Sequence, residues 1–399
     1  MKIEPNIGKN KEIMVTRPSL PPFDEYVGML RSLWDSAWLT NMGPCHEELR
    51  EKLAAYLHVP HVELFANGHL ALEMVIQAMG LEGEIITTPY SFVSTSHAIV
   101  RCGCKPVFCD IREDDCTIDA DKIEALVTDK TVAIVPTHVY GHICDVEKID
   151  GIARRHGLKV IYDGAHAFGE SRRGVGVGNF GDATMFSFHA TKVFHTIEGG
   201  AVTFRDEALG PMLYKYKNFG ITGKETVELI GGNGKMNEFQ AAMGLCNLRH
   251  VDGEIARRRE IAGIYRKGLA GLGVRMCPEN PDVESNAAYF PIFVGTRWEG
   301  TSADAGDADD AGCTRDGKCG SGALRDALYD HLGDHGFHCR KYFYPCINDL
   351  ECYRGYALDS PPTPIAHRAA SQVLTLPIYA GLEPSTAEEI CDRIREALG

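Results

Sequence analysis

No apolar run in this 399-residue chain approaches the length needed to cross a bilayer. Its first residues, Met1-Lys-Ile-Glu-Pro-Asn, lack the apolar core of a signal peptide. Basic residues are not in surplus either. Lys and Arg number 41 against 55 Asp and Glu, a net charge of −14, which argues against nucleic acid or an anionic membrane surface as a main partner. The 14 cysteines are scattered and contain no CxxC pair. That distribution fits reduced thiols in a cytoplasmic protein better than a disulfide framework. Cys102-Gly-Cys104 and Cys313…Cys319 lack zinc-site spacing, so no metal is expected. There is no internal repeat.

What the chain does have is alternation. Residues 24–58 read as two amphipathic helices split by Trp38-Leu-Thr-Asn-Met-Gly-Pro44. Beyond them, apolar strands at Val62–Phe65, Glu84–Thr87, Pro106–Cys109, Thr131–Pro136, Lys159–Tyr162, Ala183–Phe186 and Ala201–Phe204 are expected. Helices are expected at His69–Met79, Ser94–Arg101, Ala120–Leu126 and Ile149–His156. Such strand–helix alternation indicates an α/β fold with a mainly parallel, doubly wound sheet, whose ligands sit beyond the carboxyl ends of the strands. An Arg- and Glu-rich helix (about Lys235–Leu269) and a smaller α/β segment follow. Residues 295–323 read as an acidic, small-residue-rich surface insertion.

Four features fall at expected strand ends. Phe65-Ala-Asn-Gly-His-Leu-Ala-Leu72 puts the amides of Gly68 and His69 at a helix start, either an anion cradle or an ordinary capped turn. Thr88-Pro-Tyr-Ser-Phe-Val-Ser94 carries Phe92, which stacks on a planar ring or joins the core. Asp163 directly follows a buried strand; it either meets a cation or caps the next helix. Lys192 lies in Ser187-Phe-His-Ala-Thr-Lys-Val-Phe-His-Thr-Ile-Glu-Gly-Gly200 and is a candidate Schiff-base amine or a surface lysine. In this order they describe a pyridoxal phosphate site. Lys192 bonds the aldehyde, Asp163 keeps the ring nitrogen protonated, an aromatic covers the ring, and the helix start with Ser187 holds the phosphate.

These motifs are joined by Leu39-Thr-Asn-Met-Gly-Pro44, Asp163-Gly-Ala-His-Ala-Phe-Gly169, Asn218-Phe-Gly220 and Lys235-Met-Asn-Glu-Phe-Gln-Ala-Ala-Met-Gly244. Together they resemble the sugar aminotransferases of the DegT/DnrJ/EryC1/StrS family. The resemblance implies the type I pyridoxal phosphate-dependent fold. It implies a large cofactor-binding domain over 15–250, with a mainly parallel mixed sheet between helices, and a smaller C-terminal α/β domain over 251–399. It assigns Lys192 to the cofactor link, Asp163 to the ring nitrogen and His166 to the neighbourhood of the ring's phenolic oxygen. Gly68, His69 and Ser187 would take the phosphate, with His189 and Phe92 beside the cofactor, and Asn218 would reach the neighbouring subunit's cofactor in a homodimer with shared sites. His69 stands where many relatives carry a small hydroxyl residue, and Lys235-Met-Asn237 replaces a commoner Arg-containing version.

The expected reaction is amino transfer, with glutamate as donor, onto a nucleotide-linked 4-keto-6-deoxy sugar. Thr40, Asn41, Lys235, Arg340 and Tyr344 are the candidate substrate contacts; Arg340 and Lys341 suit a diphosphate or form a solvated basic pair. The alternatives are amination at C3, a pyridoxamine-dependent dehydratase, disfavoured because Lys192 is present where such relatives carry histidine, and a non-catalytic regulatory protein. His195 either touches the sugar or is structural.

Overall fold

The computed structural model describes residues 12–295 and 320–398. Two helices lead in, α1 (Phe23–Ser36) and α2 (Pro44–Tyr56). Seven strands then form one sheet: β1 (His61–Phe65), β2 (Glu84–Thr87), β3 (Lys105–Phe108), β4 (Thr131–Ile134), β5 (Lys159–Asp163), β6 (Ala183–Ser187) and β7 (Gly200–Phe204). Their order is β1-β7-β6-β5-β4-β2-β3. Only β7 runs against its neighbours; the other pairings are parallel. A mixed α/β sheet of this kind matches the expected fold class.

The central strands are apolar on both faces because both faces are covered. Side chains alternate between two buried layers. Tyr162, Phe186 and Ala201 pack on one side with the leucines of α2, while Ile161, Met185 and Val202 pack on the other with the helix Gly68–Ala78, α3. Helix ends carry local stop and start chemistry. Asn67 caps α3 by accepting from Leu70 N at 2.9 Å. The helix Val146–His156 starts on Asp145 and ends at Gly157, which sits at φ +67° with nothing near its Cβ position.

The Arg- and Glu-rich stretch differs from the single helix expected. It forms two helices, Glu238–Leu248 and Val251–Gly268, with the break at Arg249-His250. The first opens on a reciprocal capping box between Asn237 and Gln240. It packs into the layer of α2, whereas Ile261 and Tyr265 of the second enter a separate core. That core surrounds a three-stranded antiparallel sheet of Val274–Met276, Phe290–Val294 and Val373–Leu376. The second helix spans the two cores, since its Val251 and Ile255 still pack with the first. From 296 to 319, the acidic insertion lies outside the described residues.

The fold gathers one sheet edge for chemistry. Gly200 pairs with Ser187 on one side and with Phe65 on the other. The start of β7 therefore meets the ends of β6 and β1, and Asp163 closes β5 nearby.

Candidate active site

Lys192 sits in the loop from β6 to β7, and that loop is tightly held. Phe188 N bonds Gly199 O at 2.8 Å, Thr196 N bonds Phe188 O at 3.0 Å, and Lys192 N bonds His189 O at 2.9 Å. Phe194 stacks on Phe168 at 4.5 Å and meets Phe188 edge-on at 4.9 Å. Buried rings on both sides of Lys192 thus fix its backbone. Its Nζ makes a long contact, 3.5 Å, to Tyr289 Oη, and overlooks a cleft lined by His166, Thr191, Asn286 and Tyr289.

Asp163 is buried. Its Oδ2 accepts from Thr95 Oγ1 at 2.6 Å and its Oδ1 from Ala165 N at 3.0 Å. Among the described residues no cation lies within ion-pair distance, and burial pushes its carboxyl above the ordinary value. The two hydrogen bonds and the charge of Lys192 pull the other way. A carboxylate in this state favours any group that brings a positive charge to it.

His166 is also buried, and its Nδ1 accepts from Tyr140 N at 3.0 Å. Burial first, then the Lys192 charge, hold it well below the usual histidine range. A neutral ring that accepts at Nδ1 carries its proton on Nε2, so His166 is a donor there. Phe343 stacks parallel to it at 6.0 Å and Tyr289 tilts against it at 4.6 Å.

Gly68 begins α3 against Ser187. A Cβ on Gly68 would stand 2.9 Å from Ser187 Cβ, and one on Gly200 would stand 2.6 Å from Gly68 N. Free amides of a helix start thus lie beside a serine hydroxyl, in a space that only glycine leaves open. His69 turns its ring away: Nδ1 is 2.9 Å from Ser94 Oγ and Nε2 is 3.0 Å from Glu73 Oε1. Of its groups, the main-chain amide remains for an anion.

The other expected residues lie around this centre. Phe92 is 60% exposed, one turn before Thr95. His189 bonds Thr191 Oγ1 at 2.8 Å and is half-exposed. Asn218 bridges Asn233, and Lys235 Nζ bonds Asn233 Oδ1 at 2.9 Å while lying 4.6 Å over the Phe219 ring. This group backs on β1, because Ala66 N bonds Gly234 O at 2.7 Å. Thr40 and Asn41 are exposed, on a loop tied to Glu238 N through Leu39 O at 3.0 Å. The segment holding Arg340 and Tyr344 reaches the cleft through Phe343 and through Tyr342, whose ring lies 6.1 Å from Tyr289. Arg340 itself is exposed, and the Tyr344 ring faces Arg325 at 4.8 Å. His195 is buried, 2.5 Å from Ser19 O, with Asn247 Nδ2 on its carbonyl; it pins the N-terminal segment.

Thr95, Tyr289, Asn286 and Glu170 escaped the sequence reading. Asn286 Nδ2 holds the carbonyls of His166 and Phe168 at 2.9 and 3.0 Å, and Glu170 Oε1 in turn accepts from Asn286 N at 2.9 Å. The run Asp163…Gly169-Glu170 was a signal for the last, since an acid ending a buried motif needs partners. Nothing local marks Tyr289, which is brought in from 97 residues away.

An amine beside a buried, cation-seeking carboxylate and an anion cradle suits a phosphorylated aldehyde with a basic ring, and pyridoxal phosphate is that molecule. It is the cofactor of this chain. The chain is 42% identical, over 98% of each sequence, to dTDP-4-amino-4,6-dideoxy-D-glucose transaminase of Escherichia coli. It is 39% identical to the enzyme of the same name from Shigella dysenteriae, over 97% of this chain and 99% of that one. Among solved structures it is similar to DesI in the presence of its TDP-sugar product, with a TM-score of 0.87 and 32% identity over 97% of this chain and 93% of the other. The model of the DegT/DnrJ/EryC1/StrS aminotransferase family matches residues 24–305 and 316–395, and the chain belongs to that family.

Proposed function

We propose that this aminotransferase converts a dTDP-linked 4-keto-6-deoxy sugar to the 4-amino sugar, with glutamate as donor. The observation that carries the chemistry is Asp163, buried with no cation at ion-pair distance among the described residues and electrostatically coupled to Lys192. The near full-length likeness to the two dTDP-4-amino-4,6-dideoxy-D-glucose transaminases supports the substrate.

When bound, pyridoxal phosphate supplies an aldehyde for amine capture and a cationic ring that takes up electrons when a proton leaves the neighbouring carbon. Lys192 would hold the aldehyde through its Nζ, and the same Nζ, when free, would be the base placed to move a proton in the cleft. Asp163 keeps the ring nitrogen's proton in place, and Thr95 keeps Asp163 oriented. His166, a donor at Nε2, would serve the ring's phenolic oxygen. The amides of Gly68 and His69 and the Ser187 hydroxyl bind the phosphate, Phe92 covers the ring, and His189 borders the site. Thr40, Asn41, Lys235, Arg340 and Tyr344 orient the sugar nucleotide.

Asn218 reaches the partner subunit's cofactor in a homodimer. Phe219, Ile221, Val227 and Ile230 (97% exposed) surround it, an apolar patch that a second copy would bury. We place a cofactor-binding domain over 15–250 and a smaller domain over 251–399: one sheet core lies wholly within the first and another, apart from Ile13, within the second, while Tyr90 and Tyr140 pack with Phe293 and Phe343 across the boundary. No helix among the described residues is long and apolar enough to cross a membrane, and the free thiols suit the cytoplasm, where we place the protein. Amino transfer from glutamate onto a panel of dTDP-, UDP- and GDP-linked 4-keto and 3-keto sugars, with product regiochemistry read by NMR, tests the substrate. A 4-amino product from the dTDP sugar is expected; a 3-amino product would refute the assignment.

A further inference from the structure

Away from the cleft, three side chains of different chemistry converge where residues 346–349 meet the helix Pro364–Gln372. Cys346 Sγ, a carboxylate oxygen of Asp349 and a ring nitrogen of His367 all lie within 4.8 Å of one another. His367 Nε2 is 3.0 Å from Asp349 Oδ1. Its Nδ1 donates to the Thr363 carbonyl at 2.7 Å. That bond leaves Nε2 as the nitrogen with a lone pair when the ring is neutral. Metal-binding histidines are oriented in this way, with the second ring nitrogen donating to a main-chain carbonyl. In the same corner, Asn348 donates to Thr363 Oγ1 at 3.0 Å, and its Oδ1 is buried without a hydrogen-bond partner among the described residues.

We propose that Cys346, Asp349 and His367 bind one zinc ion, with a solvent molecule as the fourth ligand. Thiolate, imidazole and carboxylate together suit zinc, whereas magnesium and calcium prefer an all-oxygen set. Zn–S of about 2.3 Å and Zn–N of about 2.0–2.1 Å put tetrahedral ligands roughly 3.5 Å apart, so the cluster must contract by about an ångström. Asp349 is partly exposed and can make that movement. Asp110 is close enough for its charge to act on both Cys346 and His367, yet its oxygens already serve the amides of Ile365 and Ala366 and the Lys122 ammonium.

Binding displaces the Cys346 thiol proton and any proton on His367 Nε2, and these pass to solvent. Affinity therefore rises with pH. The ion would tie the segment following Tyr344 to the helix Pro364–Gln372. Through Ile347 N on Pro89 O, 2.9 Å, it would also brace the loop that carries Phe92. Its effect is on stability and on the placing of these segments; the transfer chemistry is left to Lys192.

The test uses the full-length, cofactor-loaded protein, stripped with a chelator and titrated with cobalt(II) as a spectroscopic stand-in for zinc. One cobalt per chain with intense tetrahedral ligand-field bands, displaced by zinc, is expected. Cys346→Ser should abolish the bands, and His367→Gln should weaken binding by roughly 10-fold or more. Asp349→Asn, at a partly exposed position that puts the fold at little risk, should weaken it as well. Wild-type bands no stronger than those of Cys346→Ser, or a zinc dissociation constant unchanged by Asp349→Asn, would overturn the site.

Discussion

Thr95 Oγ1 donates a 2.6 Å hydrogen bond to Asp163 Oδ2, and both side chains are buried. A hydrogen bond to a charged group contributes about 1.5–3 kcal/mol. Thr95→Val should therefore weaken pyridoxal phosphate retention or lower kcat by roughly 10- to 100-fold, and Thr95→Ser should recover most of it. Cofactor dissociation measured by absorbance checks this; a Val variant equal to wild type would remove Thr95 from the site.

His166 accepts from Tyr140 N at Nδ1 and sits well below the usual histidine range because it is buried. With its folded pKa lowered, it stays neutral from about pH 6.5 upward, so an acid limb near pH 6.5 should not come from it. In NMR its Cε1–H shift should stay flat over that range. His166→Gln retains a donor and should keep much of the activity, whereas His166→Leu should lose it.

Glu170 is a buried acid with hydrogen bonds to one oxygen only. Its Oε2 has no partner among the described residues, and burial pushes its pKa up to about 8 from an ordinary 4.5. Folded Glu170 thus holds its proton more tightly than the unfolded chain does. The stabilisation is complete below about pH 4.5 and drains away as pH rises toward 8. Glu170→Gln cannot ionise. Its stability relative to wild type should improve between pH 5 and pH 8 by on the order of 2 kcal/mol, read by chemical denaturation. A pH-independent difference would contradict the raised pKa.

Asn218 is assigned to the partner's site, so the two halves of a site can be supplied separately. Lys192→Ala and Asn218→Ala homodimers should both be impaired. Mixed and allowed to exchange subunits, they should recover roughly a quarter of wild-type activity, because half the dimers then hold one intact site. No recovery after verified exchange would mean that Asn218 acts within its own subunit.

The first half of the molecule was legible because its signals are local. Each strand from Val62 to Phe204 was expected within two residues of its place, since buried parallel strands are unbroken apolar runs between turns. Both leading helices were bounded by Trp38–Pro44 chemistry. The Lys235–Leu269 stretch misled because helical periodicity continues across Arg249-His250, where the chain turns between one helix and the next. The proposed centre of the site gave local signals for a similar reason, as Gly68, Asp163, His166, Ser187 and Lys192 stand at or just past strand ends. Tyr289 and Asn286 did not, because long-range folding delivers them on the connection between the strands Val283–Glu284 and Phe290–Val294.

The most direct measurement asks where the cofactor is attached. Borohydride reduction of the protein loaded with pyridoxal phosphate, followed by peptide mass mapping, should place one pyridoxyl group per chain on Lys192 and bleach the visible absorbance. Lys192→Ala should show neither the adduct nor amino transfer. A protein that takes up no pyridoxal phosphate, or an adduct on another lysine with Lys192→Ala fully active, would contradict the account.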